Sequence, residues 1–146
     1  MAILLASTPV SSPAANPDLR VVTTVVNIPV PASAFDPSTG VATVTVPGGL
    51  VLQVNSSKNW SLQVRALSPT FTYSSPPASG STKPVAELQL QPVSGGSALA
   101  LSTSNRVITS GAKTKSWIDC AFDVILQATS ANRGGLYTVT LEFKIY

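Results

Sequence analysis

Three sets of side chains in this sequence have types and spacings that chemistry uses. Ser110 and Lys113 (SGAK) fit the Ser-x-x-Lys pattern, in which a lysine activates a serine for acyl transfer. The pattern stands in a glycine-containing turn with neither Ser-Asp-Asn nor Lys-Thr-Gly after it, so the spacing is read as coincidence. Asp119 and Asp123 are the one close pair of carboxylates. On a strand they share a face about 13 Å apart by the rise per residue, beyond the roughly 5 to 9.5 Å that glycoside hydrolysis uses, and they read as a solvated face. Cys120 alternates inward between Ile118 and Phe122, the pattern of a small core hydrophobe rather than of a nucleophile.

The remaining chemistry is narrowed by what the chain lacks. Without histidine there is no Ser-His-Asp triad, no Cys-His dyad, no imidazole acid/base catalysis and no His-ligated zinc. A single cysteine forms neither an internal disulfide nor a thiolate cluster. The glycine pairs at 48, 95 and 134 never extend into a phosphate-binding loop and read as turns. Asn55 (NSS) and Asn59 (NWS) match the glycosylation acceptor, which matters only in a secretory pathway. Trp60 has an inward phase and reads as core; Trp117 has the outward phase and is the better platform for a sugar. No catalytic residue, metal or cofactor is assigned, and the chain is read as not being an enzyme.

The elements that hold these residues follow from composition and pattern. A chain of 146 residues fits one domain. Charged residues are 10% of it, against about 25% in an average soluble domain, so Ser, Thr, Gln and Asn carry the surface, which suits a protein packed beside others. The nine basic and six acidic residues give a net charge of +3, and the basic ones are dispersed, a poor footprint for nucleic acid. No segment approaches the ~18 consecutive apolar residues of a membrane span. Ala2 to Ala6 (AILLA) lacks the basic start and the length of a signal peptide's apolar centre.

Residues 1–19 read as an extended arm, because Pro9, Pro13 and Pro17 recur among Ser and Ala and disfavour helix and sheet alike. Its apolar residues Ile3, Leu4, Leu5 and Val10 are the candidate partner-binding set, seated in a groove of a neighbouring subunit or folded back on their own domain. Residues 20–146 alternate short apolar runs with turn residues, rich in Val and Thr. Val22, Thr24, Val26 and Ile28 are predicted on one face of an edge strand, and 41–46 on a strand that Pro47, Gly48 and Gly49 break. Residues 50–55 and 60–67 are predicted as a hairpin about SSKN. Ser74 to Pro84 is predicted as a projecting loop that carries Lys83. Strands follow at 87–91, 98–102, 106–109, 118–126 and 137–145. A 3.6-residue period also fits 117–128, but its complete alternation favours a strand. The whole is an all-β, antiparallel Ig-like or jelly-roll-type sandwich of about eight strands.

Trp60 within NWSLQVRA, the Pro/Gly/Ser loop and the terminal NRGGLYTVTLEFKIY resemble the small β-sandwich decoration (cement) proteins of tailed-phage capsids, and second the Ig-like domains of bacterial surface and pilus proteins. The first resemblance implies a non-enzymatic virion protein assembled in the host cytoplasm. It implies binding between capsomers, to the major capsid protein or another virion protein, as a homotrimer. The second implies cell-surface adhesion, and a carbohydrate-binding module is the third alternative. On the first reading, loss of residues 1–17 leaves the sandwich folded, with melting little changed, while occupancy on the particle falls at least tenfold, about 1.4 kcal/mol, and Lys83→Ala matters less.

Overall fold

Alternating apolar and polar residues become strands throughout the computed structural model, which describes residues 2–9, 17–74, 82–132 and 134–146, the first of these as backbone. In chain order the strands are β1 (Ala2–Pro9), β2 (Asp18–Val21), β3 (Val25–Pro29), β4 (Val41–Asn55), β5 (Trp60–Ala66), β6 (Thr72–Ser74), β7 (Leu88–Pro92), β8 (Leu99–Ala100), β9 (Arg106–Gly111), β10 (Ile118–Thr129) and β11 (Leu136–Ile145). Short 3-10 turns at Ala32–Ala34 and Val85–Glu87 are the helical elements among the described residues. The expected all-β sandwich is therefore present, with eleven strands among the described residues where the pattern suggested about eight.

One sheet runs β3-β1-β11-β5-β9, with β6 pairing β11 beyond the end of β5; the other runs β2-β4-β10-β7-β8. Every pairing is antiparallel except β1 with β11. The inward rows are Trp60, Leu62, Val64 and Ala66 on β5 and Tyr137, Val139, Leu141, Phe143 and Ile145 on β11. They join Leu50, Leu52 and Val54 of β4 and Phe122, Val124, Leu126 and Ala128 of β10 in a single core. A period of two makes this possible, since each strand puts its apolar set on one face, and each fully buried Leu or Phe contributes about 1.5–3 kcal/mol.

Four local expectations are corrected. The Pro47-Gly48-Gly49 triplet does not end a strand: β4 runs through it as an irregularity in its pairing with β10 between Phe122 and Val124. Gly48 takes φ +57° there, a conformation that suits a residue without Cβ. Its N–H is satisfied by Asp123 Oδ1 at 2.7 Å. SSKN is not a hairpin turn, because β4 and β5 lie in different sheets. The first predicted strand is split: Val22 and Thr23 both donate their N–H to Val51 O, at 3.0 and 3.1 Å, and the chain then crosses to the other sheet, leaving Val22 exposed.

The last concerns Lys83. Residues 75–81 of the expected projecting loop lie outside the described residues, but the returning stretch is docked. Phe71 N–H donates to Lys83 O at 2.9 Å, Val85 N–H donates to Pro69 O at 2.9 Å, and the Lys83 side chain is fully buried.

Candidate functional site

Of the four residues assigned to partner binding, Ile3, Leu4 and Leu5 lie on β1, and Val10 falls outside the described residues. β1 is laid between β3 and β11 of its own sheet. Ile3 stands opposite Ile28 and Tyr137, Leu5 opposite Val26 and Val139, and Leu4 opposite Asn27 and Thr138. Ile28, Tyr137, Val26 and Val139 are all buried, so in register positions 3 and 5 stand beside core residues and position 4 beside Asn27 and Thr138. Residues 2–9 are thus not the sheet-free arm that proline content suggested. The prolines explain why: Pro9 is the last residue of β1 and the next is Pro13, so the apolar run keeps every ladder N–H that it needs.

The aspartate candidates are engaged in the fold, and the serine and lysine lie on and after β9. Ser110 is exposed on β9 opposite Ser61, and Lys113 lies past the strand's end. Asp119 accepts the Gln53 side-chain amide at 2.9 Å, and Asp123 secures Gly48. Cys120 is half-buried; burial, with a smaller contribution from the Asp119 charge, pushes its thiol pKa up and keeps it protonated and weakly nucleophilic. It lines a cleft of about 540 Å³ on the sandwich flank with Trp60, Val93, Gly111, Ile118 and Phe122. Trp60 is core, its Nε1–H donating to Ala112 O at 2.9 Å. A Cβ on Gly111 would stand 2.5 Å from the Trp60 ring, which requires glycine there. One face of Trp117 is covered by the Arg20 guanidinium, 3.9 Å from the ring centroid, which leaves less of the ring for a sugar.

Two charged clusters escaped the sequence reading. On the outer side of the first sheet, Glu142 stands opposite Arg65 in register and accepts its guanidinium at 2.8 Å, with Lys144 Nζ 3.0 Å away. The Arg65 hydrogen bond, then that of Lys144, holds the Glu142 carboxyl below its usual range. At the end of β10, buried Lys83 Nζ donates to the Glu87 carboxylate, to Gln127 O at 2.6 Å and toward Asn132 Oδ1 at 3.4 Å. Its single local signal is the four-residue spacing of Lys83 and Glu87; Gln127 and Asn132 are brought there by the fold alone. Among the described residues, no three His, Cys, Asp or Glu side chains gather as a metal site would need.

Among the described residues, exposed large apolar side chains lie on or next to edge strands at Val25 (β3), Val107 (β9) and Val22 (after β2), and at or past the ends of inner strands at Val41, Leu67, Val93, Ile118, Leu136 and Tyr146. Compared with known proteins, the chain matches no family model and no curated protein.

Proposed function

We propose that this chain is a non-enzymatic structural protein that works by packing against other protein subunits, as a decoration protein binding between the capsomers of a virus particle. The observation that carries the reading is the exposure of Val22, Val25, Val93 and Val107 along the sandwich margins on a surface with few charges. Sheet edges bearing apolar residues and little charge invite association with other chains. The capsid setting comes from the resemblance of the sequence to small β-sandwich decoration proteins, which also implies a homotrimer.

The revised place of β1 alters the mechanism in one respect. Docking belongs to the margins of the folded sandwich, while residues 2–9 serve the fold. Two measurements test the proposal. Sedimentation velocity of the full chain should give a trimer, and a monomer at every concentration overturns self-association. Electron microscopy of infected cells with a gold-labelled antibody to the chain should mark the capsid surface of assembled particles; label confined to the cell envelope overturns the virion assignment.

A further inference from the structure

Basic residues are dispersed in the sequence, but the fold sorts them by partner. Among the described residues, Arg65, Lys83 and Lys144 are held in ion pairs, and Arg106 donates to Ala100 O at 3.1 Å. Arg20, Lys58, Lys113 and Lys115 are exposed, make no ion pair among the described residues, and lie together at one end of the sandwich. Register brings them there. Arg20 and Asp119 both stand opposite Gln53, close to the end of β4 at Asn55. Lys58 follows in the loop after β4, and Lys113 and Lys115 are in the loop before β10. The two loops are pinned to each other: Ser56 N–H donates to Thr114 Oγ1 at 2.9 Å, and Thr114 N–H donates to Ser56 O at 2.7 Å. Ser56 Oγ also donates to Lys58 O at 2.7 Å. The three amines therefore project from a fixed backbone.

Arg20 adds a directional group. Its guanidinium lies over the Trp117 ring, 3.9 Å from the centroid. A guanidinium packed on a ring keeps its rim of N–H donors for an anion, and a carboxylate can take two of them at once. This end is not uniformly basic, since Asp18, opposite Asn55, and Asp119, which accepts the Gln53 amide, stand among the four cations. The excess there is +2 of the chain's net +3. A continuous polyanion such as nucleic acid would be set against both carboxylates, whereas a protein surface can meet the cations with Asp or Glu and the carboxylates with neutral groups. We propose that this end of the sandwich docks an acidic stretch of a neighbouring protein subunit. Arg20 grips one carboxylate, and Lys58, Lys113 and Lys115 attract others. The inference rests on the reading of the chain as a protein that packs against other subunits, and adds a charge-dependent contact to the apolar ones.

The probe is a short fluorescein-labelled peptide of alternating Glu and Ser, titrated into the full chain, with an oligothymidylate of equal charge as the rival polyanion. The peptide should bind in low salt, more tightly than the oligonucleotide, and should weaken as salt rises. Lys113→Glu combined with Lys115→Glu should weaken it by about tenfold or more, because each reversal turns an attraction into a repulsion. Arg20→Lys keeps the charge but loses the fork, and should weaken binding about threefold. Arg106→Ala, at the other end of β9, should bind as wild type does. In the wild-type chain, backbone amide shifts should move at 18–20, 53–58 and 112–119, a readout that depends on no variant folding. The proposal is overturned by a peptide that does not bind, binds regardless of salt, binds the double variant as well as the wild type, or shifts amides elsewhere. Tighter binding of the oligothymidylate overturns it in favour of nucleic acid. A monomeric chain that binds the peptide here contradicts self-association alone, and a trimer that ignores the peptide contradicts this face alone.

Discussion

The two longest strand pairings, β4 with β10 and β1 with β11, hold the middles of the two sheets in different ways. β4–β10 is antiparallel, runs from Ile118↔Val54 to Thr129↔Val41, and absorbs an irregularity at Gly48. β1–β11 is parallel, runs from Ala2↔Leu136 to Pro9↔Phe143, and joins the first strand to the last. In β4–β10 both strands announce themselves by alternation, and the core on one face selects their register. In β1–β11 one strand ends at a proline, and its partner lies at the other end of the sequence, a separation that adds to the closure cost of the pairing. The second sheet is therefore secured by strands that are recognisable alone, whereas the first depends on one recognisable only in place. β3 shows that dependence, because among the described residues β1 is its sole neighbour in the sheet.

The largest effect should come from removing residues 1–9. β3 then loses its partner, β11 gains a bare edge, and a loss of about 4 kcal/mol lowers the melting temperature by roughly 8–16 °C for a domain of this size. Thermal unfolding by circular dichroism decides this; an unchanged midpoint would mean that β1 does not belong to the folded sheet in solution, restoring the arm. Asp123→Ala tests the other ladder, because it strips the Gly48 N–H of its acceptor. The cost should be about 1–2 kcal/mol, read as a shift in the urea midpoint, and no shift would mean that the irregularity in β4 needs no side-chain support.

A smaller effect belongs to Glu142, which links β11 to β5. Its folded-state pKa lies below the ordinary value of about 4.3, because Arg65 and Lys144 favour the carboxylate. That contribution to stability is complete above the unfolded pKa and disappears as pH falls through the folded one. Wild type should therefore melt higher than Glu142→Gln at neutral pH, and the gap should close in acid; a gap independent of pH would assign the difference to packing. Ser110→Ala should change stability by less than about 0.5 kcal/mol and activity toward ester substrates not at all. Any esterase activity that the substitution abolished would revive the Ser-x-x-Lys reading.

Much of the strand content was legible in the order of residues, for a local reason. Alternation in 60–66, 118–128 and 137–145 sets which face of each strand is apolar, and Asp36-Pro-Ser-Thr-Gly sets a turn in which Asp36 Oδ1 accepts the Ser38 and Thr39 N–H groups at 2.7 and 3.1 Å. The candidate site was less legible. Ile3, Leu4 and Leu5 stood out as apolar residues needing a partner, but no spacing shows that the strand they form lies between β3 and β11. Lys83 looked like a loop lysine, and its burial depends on Gln127 and Asn132, which no spacing connects to it.

By itself, then, the amino-acid sequence determined an all-β chain, its turns and most inward-facing residues, because strand period and turn chemistry act over a few neighbouring positions. Tertiary structure decided which strands are neighbours, that β4 passes through Pro47-Gly48-Gly49, that β4 and β5 belong to opposite sheets, and that an amine, a carboxylate and a carboxamide meet at Lys83. An apolar face specifies that it must be covered and leaves open by what, since burial is non-directional. That choice is made when all the strands compete for the same core.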